Sequence, residues 1–493
     1  MNALLALPLV LPLLGAALSM IVRARAAQRT ISFTVLAASL GCAIGVLAHV
    51  ASTGEIAVSS LGGWPAPVAI TLVGDRLSAM MLVIAIGLLC VVLAFAIGQR
   101  ASDERSPYYH PVYLVLSAGI AQAFLAGDLF NLFVAFELLL MSSYVLLTLE
   151  GTDAQIRSGT TYVVLNVVES TVLLTAVGLV FAATGTVSMA ELPARLAELP
   201  DGVRTGLNLL LLVSFGIKAA VFPLFFWLPD AYPTAPSSVT AVFAGLLTKV
   251  GIYAMIRTET LLFPGGESTL LLWIAGFTMI IGVLGAMSHV EMKRILSFHI
   301  VSQIGYMVMG VAIGTEAALA ATVFFLLHQI PVKTALFLVQ GIVERETGTT
   351  AFDDVGGLAR RSGVLAALFL IPALSLAGLP PFSGFLGKYG LVRAGFEDGR
   401  YVIVAVALAG SLLTLVSMTK IWIGVFWGEV YPEVPAGRVG ILRHHRLMSG
   451  ATVVLVLATL AIAALAGPLF DYCRAAGEQL VDASTYVRAV VGP

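Results

Sequence analysis

The chain reads as an all-α, polytopic membrane protein of about fourteen transmembrane helices. Three observations lead there. The 493 residues are 59% hydrophobic and only 11% charged, with a mean hydropathy of +0.98. Apolar stretches long enough to span a bilayer recur along the whole chain. The segments between them are short, with no linker or soluble domain. A soluble domain is nearer half apolar and a quarter charged. Lipid offers no partner to unpaired backbone groups, so helix is the expected type for every apolar stretch. The net charge of -1 gives no footprint for nucleic acid.

Stretches of spanning length fall at about 2–22, 31–51, 72–98, 112–127, 129–149, 159–184, 206–228, 235–257, 268–288, 295–314, 317–343, 363–395, 401–427 and 448–468. Only Gly127 and Asp128 divide the fourth from the fifth. The first has no basic leading segment, so it reads as a span rather than a cleaved signal peptide. Residues 1–493 form a single membrane domain in this reading.

The odd-numbered connections carry Arg23, Arg25, Arg29, Arg100, Arg105, Arg157, Lys293, Arg294, Arg345, Arg360, Arg361, Arg438, Arg443 and Arg446. The even-numbered ones carry Arg195, Arg204, Arg257 and Arg400. Basic residues mark cytoplasmic loops, so the odd connections are expected inside and both termini outside.

Two pieces look interfacial. Residues 188–199 are a short amphipathic stretch. The tail 469–491 places Cys473, Ala476, Leu480, Ala483 or Ser484, Val487 and Val491 at helical spacing, which suits a helix on the membrane surface or on a partner protein. The cysteines Cys42, Cys90 and Cys473 are far apart and read as packing thiols.

"SFGIKAAVFPLFFWLPDAYPTAPSS" runs from span seven into the start of span eight, and in it Lys218 of span seven is followed by Pro223, Pro229, Pro233 and Pro236. Span twelve contains "GLPPFSGF", with Pro380 and Pro381, and then Lys388. The interrupted spans lie five apart. Five-helix units at 112–257 (spans 4–8) and 268–427 (spans 9–13) would therefore be inverted, because five is odd. Paired interrupted helices in equivalent positions point to a transporter's ion path.

Ionisable groups deep in spans carry the functional signal, since a charge at the bilayer centre costs at least ~2.5–3.5 kcal/mol. Glu137 is near mid-span in "NLFVAFELLLMSSYVLL", too central to snorkel. It reads either as a carboxylate locked in an ion pair or as one that pairs reversibly with a lysine. Lys218 lies five residues before Pro223, which removes a donor and frees the carbonyl of Ala219 for the ammonium or a water. Lys249 follows Gly245, expected to leave room for water. A buried lysine that gains and loses a carboxylate partner can bind and release a proton, whereas arginine effectively cannot.

His328 and Lys333 share "FFLLHQIPVKTALF". Five residues set them about 140° apart on an ideal helix, so Pro331 between them is expected to kink the helix or open a π-type bulge. His299, Ser302, Gln303 and Tyr306 form one polar face, open to two readings: a water wire or hydrogen-bonded glue between helices. Glu169 belongs to a stripe with Tyr162 and Asn166, and its reading is equally open between function and structure. Lys420 suits snorkelling to the interface. Asp75 and Arg76 open span three as a neighbouring pair, and Gly41 and Gly45 make a GxxxG packing element. No phosphate-binding loop, metal spacing, haem motif or iron–sulfur motif is present, so no cofactor is expected.

Residues 216–257, "GIKAAVFPLFFWLPDAYPTAPSSVTAVFAGLLTKVGIYAMIR", with "HQIPVKTALF" and "ALSLAGLPPFSGFLGK", resemble the antiporter-like membrane proteins. That family joins the proton-pumping subunits of respiratory complex I, membrane subunits of some hydrogenases and the Mrp-type multisubunit sodium/proton antiporters. The residues around Glu137 and Glu169 and the tail resemble the D-type subunits of the Mrp group most. The resemblance implies a hetero-oligomer in a bacterial-type plasma membrane with other membrane subunits as partners, and H+ and Na+ as the transported ions. It implies that Glu137 and Lys218 gate proton movement, that Lys249 is the central relay, and that His328, Lys333 and Lys388 continue the path. Glu169 lies outside the motif. The alternatives are a pumping subunit of a complex I-like oxidoreductase or hydrogenase, and a solitary organic-solute carrier, for which no aromatic or arginine clamp is present.

Overall fold

The computed structural model describes residues 1–64, 69–100, 103, 106–266, 268–429 and 445–492. The expected loop cations Arg105, Arg438 and Arg443 lie outside them. The helices are α1 (Asn2–Ile21), α2 (Arg25–Thr53), α3 (Arg76–Gln99), α4 (Tyr109–Leu125), α5 (Leu129–Leu147), α6 (Asp153–Thr184) and α7 (Asp201–Ala219). There follow α8 (Ser237–Leu261), α9 (Ser268–Ser288), α10 (Met292–Ile313) and α11 (Glu316–Thr347). Helix α12 comes in two halves, Gly363–Ala377 and Ser383–Glu397. Then come α13 (Tyr401–Trp427), α14 (Arg446–Ala464), α15 (Ala466–Val481) and α16 (Ala483–Val491).

Twelve helices are long and apolar enough to cross a membrane on their own, and α4 and the split α12 bring the spanning segments among the described residues to fourteen. The α4/α5 division is real. Asp128 caps α5 by accepting from the Asn131 N–H at 2.6 Å, so two residues suffice to end one helix and start the next.

Connections of like parity meet at the same end of the bundle. In the even set, Leu72 bridges to Ala126 and Asp128 to Ser188. In the odd set, Arg25 donates to the Ser106 carbonyl at 2.5 Å and Glu291 bridges to Ala351. Helices α8, α10 and α11 are buried over nearly their whole length, while α1, α2 and α6 are mostly exposed.

Several sequence expectations need correction. Residues 72–74 do not begin a helix. They belong to β2 (Ile70–Gly74), which pairs antiparallel with β1 (Ala57–Leu61) in the even-end connection between α2 and α3. Here the β-branched run pairs its own backbone groups strand to strand. Asp75 does not pair with Arg76. It caps α3 through Ser78 and reaches 2.6 Å to Arg257 of α8, both side chains being buried.

The segment 188–199 forms only a short helix, Leu192–Ala197, with Leu192 and Leu196 buried. Helix α15 packs on α11, burying Cys473, Ala476 and Leu480, and Gly477 brings the two backbones together. The chain breaks at Asp482, after which Tyr486 buries its ring against Arg257, 5.2 Å from the centroid.

Helix α11 runs through Pro331 without the expected π-type turn. That turn lies instead at Phe243–Leu247 in α8, and a second at Trp422–Trp427 in α13. Gly245 does not open room for water. A Cβ there would sit 2.5 Å from the Thr334 hydroxyl, so the glycine serves close packing of α8 on α11.

Candidate functional site

The ionisable groups singled out in the sequence lie on α5, α6, α7, α8, α11 and α12, inside the bundle. Helix α7 ends at Ala219. Ala220 takes a left-handed conformation, Pro223 follows a cis bond, and the chain re-forms a helix only at Trp227–Ala231, which contains Pro229. In α12, Gly378 is left-handed and the Pro380–Pro381 bond is cis. In both helices the cis-linked proline, Pro223 or Pro381, comes three residues after the left-handed one. The lysines do not share that register. Lys218 stands two residues before its left-handed residue and Lys388 ten after.

Lys388 does what was expected of Lys218. From the second half of α12 it donates to the carbonyls of Leu376 (3.0 Å) and Ala377 (3.3 Å), at the end of the first half, and to the Ser411 hydroxyl at 3.1 Å. The broken end exposes carbonyls that carry the negative pole of the half-helix, and a cation sits well there. Its ammonium also lies 4.7 Å from the Tyr306 ring centroid. Lys218, by contrast, takes no carbonyl. The indole N–H of Trp227 donates to Ile217, and the Lys218 ammonium, buried and with no hydrogen-bond partner in the chain, lies 5.7 Å from the Phe136 ring centroid.

Glu137 is half-buried on α5, on the stripe that also carries exposed Phe130 and Met141, and it accepts from the Ser170 hydroxyl. No direct ion pair joins it to Lys218. Glu169 is fully buried on α6, accepts from Ser214 at 3.0 Å through one oxygen, and has no partner for the other. Lys218 thus lies against Phe136, which precedes Glu137 on α5, and one helical turn from the Ser214 that holds Glu169.

Lys249 is buried beside the π-turn of α8. It donates to the carbonyl of Ala244, within that turn, and to Thr248 at 3.3 Å. The widened turn makes that carbonyl accessible to the side chain five residues on. Lys333 is fully buried with no partner for its ammonium. His328 is held by Ser383 at 2.9 Å through Nδ1, while its Nε2 has none. The polar face of α10 ties three helices. His299 meets Ser417 at 2.9 Å and Tyr306 donates to Ala407 at 2.5 Å, both on α13. Ser302 donates to Met279 of α9 at 2.9 Å, and Gln303 accepts from Gln329 of α11 at 3.1 Å. Lys420 donates to the carbonyls of Met287 and His289, beyond the end of α9.

Sequence reading missed Phe136, Ser170, Ser214, Thr248, Ser383 and Ser411. Two had a signal: Ser214 lies one helical turn from Lys218, and Thr248 is next to Lys249. The others meet their partners only through tertiary packing. Among the described residues no cluster of His, Cys, Asp or Glu could hold a metal. What the arrangement offers is a set of ionisable groups set into the bundle. Four of them, Glu169, Lys218, Lys333 and His328, keep a polar atom unmatched by protein. An unmatched buried polar atom costs roughly 1–3 kcal/mol, so such a set is not there for stability.

Residues 126–414 match the family described as NADH:quinone oxidoreductase/Mrp antiporter, TM. The chain is 44% identical over its full length to the full-length D-type subunit of the Na(+)/H(+) antiporter of Alkalihalophilus pseudofirmus. It is 37% identical, again end to end, to that of Bacillus subtilis. It superposes with a TM-score of 0.93 and 34% identity on a chain of the Mrp complex from Dietzia sp. DQ12-45-1b, covering all of both chains. The shared length, the broken helices and the buried ionisable groups agree: the chain belongs to the NADH:quinone oxidoreductase/Mrp antiporter family of membrane proteins.

Proposed function

We propose that this chain is the proton-translocating subunit of a multisubunit Na+/H+ antiporter. It is a transporter component rather than an enzyme and works among other membrane subunits. Protons move along Glu137, Glu169, Lys218, Lys249, Lys333, His328 and Lys388, driven by the proton motive force. The observation that carries this reading is the Lys218 ammonium, buried without a hydrogen-bond partner against Phe136, the neighbour of Glu137, and one helical turn from the Ser214 that holds Glu169. A cation so placed gains by approaching either carboxylate and is locked to neither.

Sodium fits this line poorly. A hard cation needs oxygen ligands free of neighbouring ammonium groups, and these groups are mostly lysines. Sodium therefore passes in, or is shared with, a partner subunit. The interruptions of α7 and α12, five spans apart, support inverted units at 112–257 and 268–427, although the lysines lie on opposite sides of those breaks. The clustering of the odd connections at one end supports a cytoplasmic face there, with both termini outside.

Sodium/proton exchange by the complex in everted vesicles tests the reading. Lys218→Ala should abolish exchange while the complex still assembles, and undiminished exchange overturns it. The oxidoreductase alternative predicts iron–sulfur subunits among the co-purifying proteins. The antiporter reading predicts small multispan subunits.

A further inference from the structure

The odd-connection end of α8 and α11 holds a polar cluster that the proposed path does not use. Glu344, in the last turn of α11, accepts from the Ser237 hydroxyl at 2.5 Å and from the Gln340 side-chain amide at 3.0 Å. Lys293 of α10 stands 3.5 Å from the same carboxylate oxygen and donates to the Ala235 carbonyl at 2.8 Å. The Glu344 side chain is 39% exposed and that of Lys293 only 4%. The cluster thus has one face in solvent and the other in the bundle.

Its inner side leads toward the lysines. Gln340 is fully buried, and with its amide N–H on Glu344 its carbonyl oxygen has no partner. Lys333, Gln340 and Glu344 are spaced 7 and 11 along α11, which keeps all three within about 20° of one line on the helix. From Gln340 to Lys333 is about 10 Å of helix rise. Thr334 lies on this stretch. Its hydroxyl donates to Ile330 at 2.8 Å and reaches the Ala241 carbonyl of α8 at 3.4 Å. The seam is closely packed at both ends: a Cβ on Gly341 would lie 2.7 Å from Ser237, and one on Gly245 2.5 Å from Thr334. Below it stand Lys249, one turn after Gly245 on α8, and Lys333, next to Thr334 on α11, on either side of the Gly245–Thr334 contact.

We propose that the α8–α11 seam is the route by which protons pass between the odd-connection face and the buried Lys249 and Lys333, with Glu344 as the carboxylate that exchanges protons with that face and Gln340 as the residue that turns the link toward it. This rests on the proton-translocating reading above. Glu344 is the outermost group that both meets water and touches the buried stripe. Lys293 positions it and favours its charged form, so that a proton taken from solvent is not retained. Gln340 donates to Glu344 on its outer side and can accept on its inner side, so the hydrogen bonds of the link point outward, toward the carboxylate.

The test uses the whole complex in vesicles, with the pH of the odd-connection side varied. Glu344→Gln preserves shape and the acceptor for Ser237 but cannot exchange a proton. Exchange should fall, and the defect should deepen as that side becomes alkaline, reaching on the order of 10²-fold, the low end of what a positioned proton-transfer group supplies. Glu344→Asp should restore most of the rate. Gln340→Leu should slow exchange without loss of assembly. Wild-type exchange in both Glu344→Gln and Gln340→Leu overturns the proposal. So does a loss that is equal at every pH and unrelieved by aspartate, because that marks a structural tie. Lys218→Ala, measured alongside, separates the two readings: if it is inactive while Glu344→Gln is normal, only the seam falls, and if it is active, the translocating function falls with it.

Discussion

Lys388 closes the gap in its own helix: its ammonium donates at 3.0 Å to the carbonyl of Leu376, across a break of five residues. Lys218, in the other broken helix, makes no such bond and lies against the Phe136 ring instead, one helical turn from the Ser214 that holds Glu169. The first lysine is tied to backbone and the second is left to choose between side chains. The two breaks are alike in backbone and opposite in use.

The break in α12 is held by a very close approach. A Cβ on Gly384 would lie 1.8 Å from the Ser375 carbonyl oxygen and 2.9 Å from His328 Cε1. Gly384→Ala must push the half-helices apart, at a cost of at least about 1–3 kcal/mol for overpacking. It should also loosen the Ser383 grip on His328. The expected result is a lower melting temperature for the complex together with impaired exchange. A normal melting temperature and normal exchange would show that the halves move apart freely.

Glu169 has the deeper burial and is held by Ser214, one helical turn from Lys218. Glu169→Gln keeps the Ser214 acceptor and removes the charge. Exchange should fall by about 10²-fold, comparable to Glu137→Gln, whereas Ser214→Ala should have a smaller effect. Full activity in Glu169→Gln would leave Glu137 as the only working carboxylate beside Lys218.

Asp75 and Arg257 form a buried pair at 2.6 Å, with Tyr486 of the tail over the guanidinium. Removing one partner strands the other charge, which costs roughly 3–5 kcal/mol. Asp75→Asn should therefore lower thermal stability strongly. The double variant Asp75→Asn/Arg257→Met should recover much of the loss. Thermal unfolding of the purified complex reads both, and a silent Asp75→Asn would count against a structural role for the pair.

At the odd-connection end, between α3 and α4, Asp103 meets His110 at 2.5 Å and also Arg29. Burial alone would raise its carboxyl, but hydrogen bonds and charge from His110 and Arg29 hold it below the usual carboxylate range. A depressed carboxylate stabilises the fold above its unfolded value, about 3.9, and that contribution is lost as pH falls through the lower folded value. Wild-type protein should lose stability in that acid window, and Asp103→Asn should start less stable and lose less over it. Parallel melting curves against pH for the two proteins would contradict the assignment.

The sequence by itself determined the membrane class, the spans and the deep ionisable residues. Each of these follows from local composition: lipid demands about twenty apolar residues and makes a charge among them conspicuous. Both broken helices were legible too, because proline and glycine act on the backbone where they stand. The tertiary structure alone decided which group faces which. It set Arg257 rather than Arg76 on Asp75, packed one face of the tail on α11, filled the space at Gly245 with Thr334, and put a π-turn before Lys249 and none at Pro331. It also gave the helix-end carbonyls to Lys388 and withheld them from Lys218. Such pairings depend on how helices far apart in the chain are rotated and shifted against one another, and that is settled by packing across the bundle, not by the residues of any single span.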